Sequence, residues 1–518
     1  MFLNEKLLLT VSVLLLLLTA CAQPQSERDT FTVGMECGYK PYNWTQSVQT
    51  ETAVLIEGGQ YCEGYDVQIA KLIAASLDKE LVIEKLSWDG LILSVQTGQI
   101  DAIIAGMSPT DERKQEIAFS NVYYLDELTK FGVVVSSDGP FADALSVNDF
   151  KGALLTAQVG TFHPELLNQL VGANQFEHLK DFSTMTVALK SDEIDGFISD
   201  NGTGASIAVT NPELKFIELS GENGFEVTES MAGVSVGVRK DNTELLKSIN
   251  QAIDKISSAE QQELMDAAIN SGNYSTGNFI EQIVSILKQN YPSFIKGTMT
   301  TLFISITATF LGFLIALLVA VGRGTKVTDM AANIYVTFFR GTPMMVQAMV
   351  FYYGISMIIP NFRWSSLPMG SVIAGIIVVS INTGAYMAET VRGGIQAIDK
   401  GQFEAAKSLG FTRWETMKNI ILPQAIKNAI PALGNELIVN VKDTSVLNVI
   451  AVTELFFVSN GIASSSYQVL QTFTITSAIY LTLTTVLTIL LRFVELKLDK
   501  TKTVASSYPT SITDSGNI

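Results

Sequence analysis

Histidine and cysteine are nearly missing from this chain, with two and three among 518 residues. His163 and His178 stand apart from Cys21, Cys37 and Cys62, and no Cys-x-x-Cys pair occurs, which argues against a redox dithiol or a metal centre. Nor is there a Gly-x4-Gly-Lys-Ser/Thr segment, so the chain has no Walker A loop. Positive charge is scarce in one half only. Residues 1–297 hold 19 Lys and Arg against 40 Asp and Glu, whereas the remainder holds 15 against 11. Such acidity repels phosphates and argues against a nucleic-acid partner, and solubility is explanation enough for it. The chain is longer than one core usually serves, so at least two domains are expected.

Met1 to Lys6 is followed by an apolar run from Leu7 to Ala20. This is shorter than the ~20 residues that cross a bilayer and reads as the h-region of a signal peptide, residues 1–21. Leu18-Thr-Ala-Cys21 resembles a bacterial lipobox, whose cysteine becomes acylated; simple cleavage and an uncleaved anchor are the alternatives. All three put the next domain, residues 22–270, outside the cell. Cys37 and Cys62 flank a polar insert, and in an exported domain an even pair favours a disulfide over two buried thiols. From Phe31 onward, β-like runs alternate with helical patterns, which is α/β. They fall at Phe31–Met35, Leu81–Glu84, Ala102–Ala105, Phe131–Val135, Ala153–Thr156, Gly196–Ser199 and Gly233–Val238, with helices from Val67 to Leu77 and Thr243 to Ile269. A linker, residues 271–297, leads to the second half.

Gly64-Tyr-Asp-Val-Gln-Ile-Ala-Lys71, Trp88-Asp-Gly-Leu-Ile92, Asp101-Ala-Ile-Ile-Ala-Gly-Met-Ser-Pro-Thr-Asp-Glu-Arg113 and Phe119-Ser-Asn-Val-Tyr-Tyr124 resemble family 3 bacterial solute-binding proteins over roughly residues 31–270. The resemblance implies a two-lobed periplasmic-binding-protein-like domain of type II, closing on one amino acid about a two-strand hinge. It assigns the ligand carboxylate to Arg113, Ser108 and Gly106, since a guanidinium grips a carboxylate bidentately and an amide and hydroxyl complete the site. It assigns the ammonium to Asp200, a second carboxylate contact to Thr161 and Gln158, and the side-chain walls to Tyr39 and Trp88, whose flat rings give area at low entropic cost. Relatives often carry an acid at the position of Glu36, facing the side-chain tip. A carboxylate there repels glutamate and favours glutamine or a basic amino acid. The alternative is that Glu36 turns away from the ligand.

Charge-free stretches at Thr298–Gly322, Gly341–Phe362, Trp364–Ala388 and Leu455–Leu491 read as membrane helices. A fifth, less clean stretch includes Glu436, Lys442 and Asp443. Five spans are expected near 298–321, 334–359, 370–388, 432–453 and 472–491, forming an all-α permease domain at 298–500 with a cytoplasmic tail at 501–518. The loop after the third span holds Arg392, Lys400, Lys407, Arg413, Lys418 and Lys427, while the proposed outer loops offer Arg363 alone. This places the loop in the cytoplasm and makes the chain a multi-pass cell-membrane protein with its N-terminal domain outside.

Glu404-Ala-Ala-Lys-Ser-Leu-Gly410 followed by Ile420-Ile-Leu-Pro423 resembles the EAA loop of ABC importer permeases, and Phe339-Arg-Gly-Thr-Pro343 and Val441-Lys-Asp-Thr-Ser445 are similar to polar amino acid permeases. The loop, 404–423, is expected to be helix, glycine turn, helix and proline stop, forming a knob for a groove on the ATPase. In it Glu404 docks polar groups beside Ala405 and Ala406, Gly410 permits the turn, Leu422 anchors the apolar face and Pro423 is the stop. The resemblance implies a homodimer working with an ABC ATPase dimer, which carries the ATP and Mg; this chain needs no cofactor and is not an enzyme. An amino-acid-sensing receptor or ligand-gated channel built on the same module is the alternative, but a channel would want a Thr-Val-Gly-Tyr-Gly filter and a sensor a signalling domain.

Overall fold

The computed structural model describes residues 30–57, 59–125, 131–228, 233–270, 278–359 and 362–499. The expected signal peptide with Cys21 and the tail at 501–518 lie outside the described residues. The described strands are β1 Thr30–Met35, β2 Gly38–Tyr39, β3 Asn43–Gln46, β4 Val54–Leu55, β5 Tyr61–Glu63, β6 Glu80–Lys85, β7 Ala102–Ile103, β8 Ala118–Tyr124, β9 Phe131–Ser136, β10 Leu154–Thr156, β11 Asn174–Gln175, β12 Gly196–Asp200, β13 Leu214–Leu219 and β14 Val234–Val238.

Two five-stranded sheets organise the first half, in the orders β6-β1-β7-β14-β8 and β11-β10-β12-β9-β13. Each is the centre of one lobe, and the chain builds the second lobe between β8 and β14. β1 pairs in parallel with β6 and β7, and β14 runs antiparallel between β7 and β8. Parallel pairing needs crossover connections, which helices Tyr65–Ser76 and Trp88–Gln96 supply. Val33 and Met35 of β1 meet Val67, Ala70 and Ile73 of the first helix in the core of lobe 1. In lobe 2, β9 sends Val133 and Val135 into one apolar cluster and Val134 into another, as the two-residue period of a strand requires.

The insert after β1 forms a small sheet, β2-β3-β5-β4, and the Cys37–Cys62 disulfide closes it, with Cα atoms 5.7 Å apart. The helical stretch expected from Thr243 to Ile269 is two helices, Thr243–Ile253 and Ser258–Asn270.

The second half departs from the expected spans in two places. Helix Phe279–Gly322 already covers most of the expected linker. The second expected span is broken into Lys326–Gly341 and Met344–Ile358. Pro343 forces Thr342 out of helical geometry, to φ −121° and ψ 144°. The Gln347 amide donates to the carbonyls of Phe339 and Thr342, both at 3.0 Å, and so takes up backbone groups released by the break. Among the described residues three helices are long and apolar enough to cross a membrane, Phe279–Gly322, Gly370–Gln396 and the one beginning at Val469. A pair bent by 57°, Arg413–Ile450 and Leu455–Ser466, makes up to four, where the sequence suggests five.

The chain divides into two compact units that do not follow the sequence halves. One comprises residues up to Thr300 with Ala348–Ala374 and Leu447–Thr476; the other holds Thr301–Gln347, Gly375–Val446 and the chain from Ser477. In the second unit a Cβ on Gly312 would stand 3.1 Å from the Gly384 nitrogen, so the helices touch backbone to backbone. Asn440 joins them further, donating to Thr309 at 2.8 Å and accepting from Thr383 at 3.0 Å.

Candidate functional site

The nine residues assigned to the amino acid all line one cleft between the two lobes. Arg113 is positioned by its own turn. Thr110 caps helix Asp111–Lys114 and accepts from the Arg113 amide, which sets the arginine in the first turn with its side chain toward the cleft. The guanidinium donates to the Ser108 carbonyl at 2.9 Å and, across to lobe 2, to the Gly160 carbonyl at 2.6 Å. Its carbon sits 5.1 Å from the Trp88 ring centroid, a cation–π contact, and the Trp88 indole also donates to Gly160, at 3.4 Å. Burial lowers the Arg113 pKa to about 10, which leaves it a cation at neutral pH.

Gly106 is at φ +61°, and a Cβ on it would be 2.7 Å from the Tyr39 ring, so glycine is required there. Its amide, expected to face a ligand carboxylate, instead donates to the Tyr123 hydroxyl at 3.2 Å. Tyr123 in turn donates to Asp66 at 2.7 Å, and Asn43 donates to the same carboxylate at 2.7 Å. Thus the Gly64-Tyr-Asp66 motif braces the Gly106 loop from behind.

Asp200 ends β12 and caps helix Asn201–Thr210, accepting from the Thr203 amide at 3.0 Å. Its other oxygen accepts from the Tyr39 hydroxyl at 2.8 Å. Burial raises its pKa. Tyr39 lies nearly parallel to Phe182, with centroids 5.8 Å apart. Thr161 donates to the Gln158 carbonyl at 2.8 Å, and the Gln158 amide donates to Lys180 at 3.2 Å, so both side chains serve the turn that presents Gly160. Glu36 lines the cleft. Burial chiefly, and then Asp181, push its pKa to about 7, against the opposing pull of Lys180 and Lys85.

Tyr42, Phe131, Phe162, His163 and Val234 complete the lining and were not assigned to the ligand from sequence. His163 is 4% exposed, and burial, reinforced by Arg113, lowers its pKa to about 3, so it is a neutral imidazole. The cleft thus combines one cation with carboxylates and flat rings, the complement of a zwitterion with an extended side chain.

The expected coupling loop is helix Lys400–Ser408, a turn at Gly410 with φ +80°, and a second helix from Arg413. The turn is a Schellman closure, with Gly410 N–H to Lys407 at 3.0 Å and Phe411 N–H to Ala406 at 3.1 Å. Glu404 and Ala405 are exposed and Ala406 is buried. One expectation is corrected. Pro423 does not stop the helix: the chain is helical without a break from Arg413 to Asp443, and a π-helical segment at Met417–Ile421, a bulge in the hydrogen-bond ladder, stands just before the proline with its missing N–H. Leu422 packs against the apolar cluster around Ala316, Met387 and Leu433. The exposed apolar surface comes from Leu409, Phe411 and Trp414, of which Leu409 is 76% and Trp414 54% exposed.

Comparison with known proteins matches residues 31–269 to the bacterial extracellular solute-binding proteins, family 3, and residues 309–500 to the binding-protein-dependent transport system inner membrane component. The probable glutamine ABC transporter permease protein GlnM of Bacillus subtilis is 38% identical over 42% of this chain and 98% of its own length. The glutamine transport system permease protein GlnP of Escherichia coli K12 is 35% identical over 39% of this chain and 92% of its own. Among solved structures, an arginine-bound amino acid ABC transporter substrate-binding protein, AbpA of Streptococcus pneumoniae, is 25% identical, with a TM-score of 0.39, over 46% of this chain and 94% of that one. With a permease region matched over nearly the whole length of such relatives and a solute-binding region ahead of it, the chain belongs to the permeases of amino acid ABC transporters, as a fusion of a family 3 solute-binding domain to the inner-membrane component.

Proposed function

We propose that this chain is the binding and permease subunit of an ATP-driven importer of polar amino acids, with glutamine or a basic amino acid preferred. It works by alternating access as a homodimer with a separate ABC ATPase dimer, and its binding domain faces the outside. One permease domain with one coupling loop is half of what a two-fold importer needs, which makes a homodimer the economical assembly. The observation that carries the reading is one cleft that holds Arg113 together with Asp200 and Glu36, walled by Tyr39 and Trp88. The arginine suits an α-carboxylate, the aspartate an ammonium, and the glutamate a donor at the side-chain tip. The relatives named as glutamine permeases support the same substrate class.

Calorimetric titration of the full chain with L-glutamine, L-arginine, L-lysine and L-glutamate tests this. Glutamine or a basic amino acid should bind tightest, and tightest binding by glutamate would overturn the preference while leaving the family untouched. The pH dependence has a definite sign. With a pKa of about 7, Glu36 is mostly neutral at pH 6 and mostly charged at pH 8. A cationic side chain binds the charged form better, so arginine affinity should rise about tenfold across that interval, while glutamine affinity changes little. An arginine affinity that falls or stays flat would remove Glu36 from the side-chain pocket.

A further inference from the structure

Two stretches of the membrane half pack within the compact unit that contains the binding domain, Ala348–Ala374 and Leu447–Thr476. The first holds lobe 1. Arg363 bridges Asp101 at 2.5 Å, the two side chains being 10% and 21% exposed, and the Trp364 amide donates to the Gln99 side chain at 3.0 Å. The second stretch touches both lobes. Helix Leu455–Ser466 lies along β2 and β3 of lobe 1. A Cβ on Gly38 would be 3.1 Å from the Ser464 Cβ, and Lys85 reaches past Gly461 to donate to Thr45 at 2.8 Å.

Beyond the end of this helix the chain turns through Tyr467, a non-glycine residue in the left-handed region at φ 52°. Such a conformation costs free energy and persists where the surroundings hold it. Here the ring is 2% exposed and is part of the lobe 2 core, with Phe182, Met185 and Leu189. Phe182 is the ring that lies parallel to Tyr39, and Tyr39 bonds Asp200 in the cleft. One rigid helix is therefore seated on lobe 1 while its tip is buried in lobe 2. Both seats are made together in this structure, where Arg113 to Gly160 and Tyr39 to Asp200 also bond across the cleft.

We propose that Tyr467 is a positioning residue that clamps the two lobes closed, so that its engagement and amino acid binding favour each other. The inference rests on the reading of the cleft as an amino acid site. By linkage, a contact made only in the closed form must raise ligand affinity by the same factor as the ligand strengthens the contact.

Two measurements on the full chain in nanodiscs test this. Without ligand, Tyr467→Ala should speed amide hydrogen exchange in helix Phe182–Lys190 at least tenfold while leaving β1 and the helix Tyr65–Ser76 unchanged. In titrations with L-glutamine and L-arginine, the same variant should bind about fivefold or more weakly, and Tyr467→Phe, which keeps the buried ring, should remain near wild type. Unchanged exchange in the lobe 2 helix overturns the proposal, because the contact is then not made. Faster exchange with unchanged affinity also overturns it, since the contact would be packing without bias toward closure, and tighter binding would mean that the residue holds the lobes apart. Wild-type protein that binds neither amino acid would refute the reading of the cleft, and exchange in the helix would then decide the clamp by itself.

Discussion

Replacing Arg113 with alanine is expected to weaken L-glutamine or L-arginine binding to the full chain by at least thirtyfold. Arg113 is 9% exposed, and its guanidinium is fixed by a capped turn, the Ser108 carbonyl and the face of Trp88. A ligand carboxylate in this cleft meets a cation that has already lost most of its rotational freedom, which is why its removal is costly. Truncating one partner of a buried, hydrogen-bonded charge pair typically costs about 2–5 kcal/mol, or roughly 30- to 5,000-fold in affinity. The same side chain also makes the 2.6 Å bond to Gly160, so the variant loses a tie between the lobes as well. Arg113→Lys should fall between the two, keeping the charge but not the fork that addresses two acceptors at once. Calorimetry measures the affinities, and an unchanged thermal unfolding transition shows that the loss is local. Binding retained within about threefold by Arg113→Ala would sink the assignment of the carboxylate site.

Much of this was legible in the sequence because the central strands are buried on both faces. β9 appears as a short apolar run, and β1, β12 and β14 set Phe, Val, Ile and Met among Thr, Ser and Gly in stretches too short for a helix. The small sheet β2-β3-β5-β4 was not legible, since its strands are only two to four residues long. The assigned cleft residues stand at strand ends and helix starts within long motifs. By contrast Phe131, Phe162 and Val234 carry the same apolar signal as core residues, and only the fold separates lining from core. His163 did offer a signal, as one of two histidines and close to Thr161. In the membrane half, the absence of charge from Gly341 to Phe362 concealed a helix break that Gly341 and Pro343 announce together. Arg363 was readable as the single cation of the outer loops, but its partner, Asp101, is 262 residues away, beyond any local pattern.

Gly410→Val should leave amino acid binding within twofold and reduce ligand-stimulated ATP hydrolysis at least tenfold in the complex reconstituted with the ATPase. The glycine sits at φ +80°, and a Cβ added to it would meet nothing within 4 Å. Crowding therefore plays no part, and the cost comes from the backbone. A β-branched residue in the left-handed region costs about 1–3 kcal/mol, comparable to the two hydrogen bonds that close the turn. Released, the turn would no longer hold the exposed Leu409, Phe411 and Trp414 in place beside the Glu404 helix, and under the proposed coupling a knob that yields cannot transmit a push from the ATPase. The replacement Gly410→Asn separates this from any general intolerance, because asparagine enters the left-handed region more readily than other side chains. It should retain most of the stimulation. Normal stimulation in Gly410→Val, or equal loss in both variants, would show that the geometry of this turn does not carry the coupling.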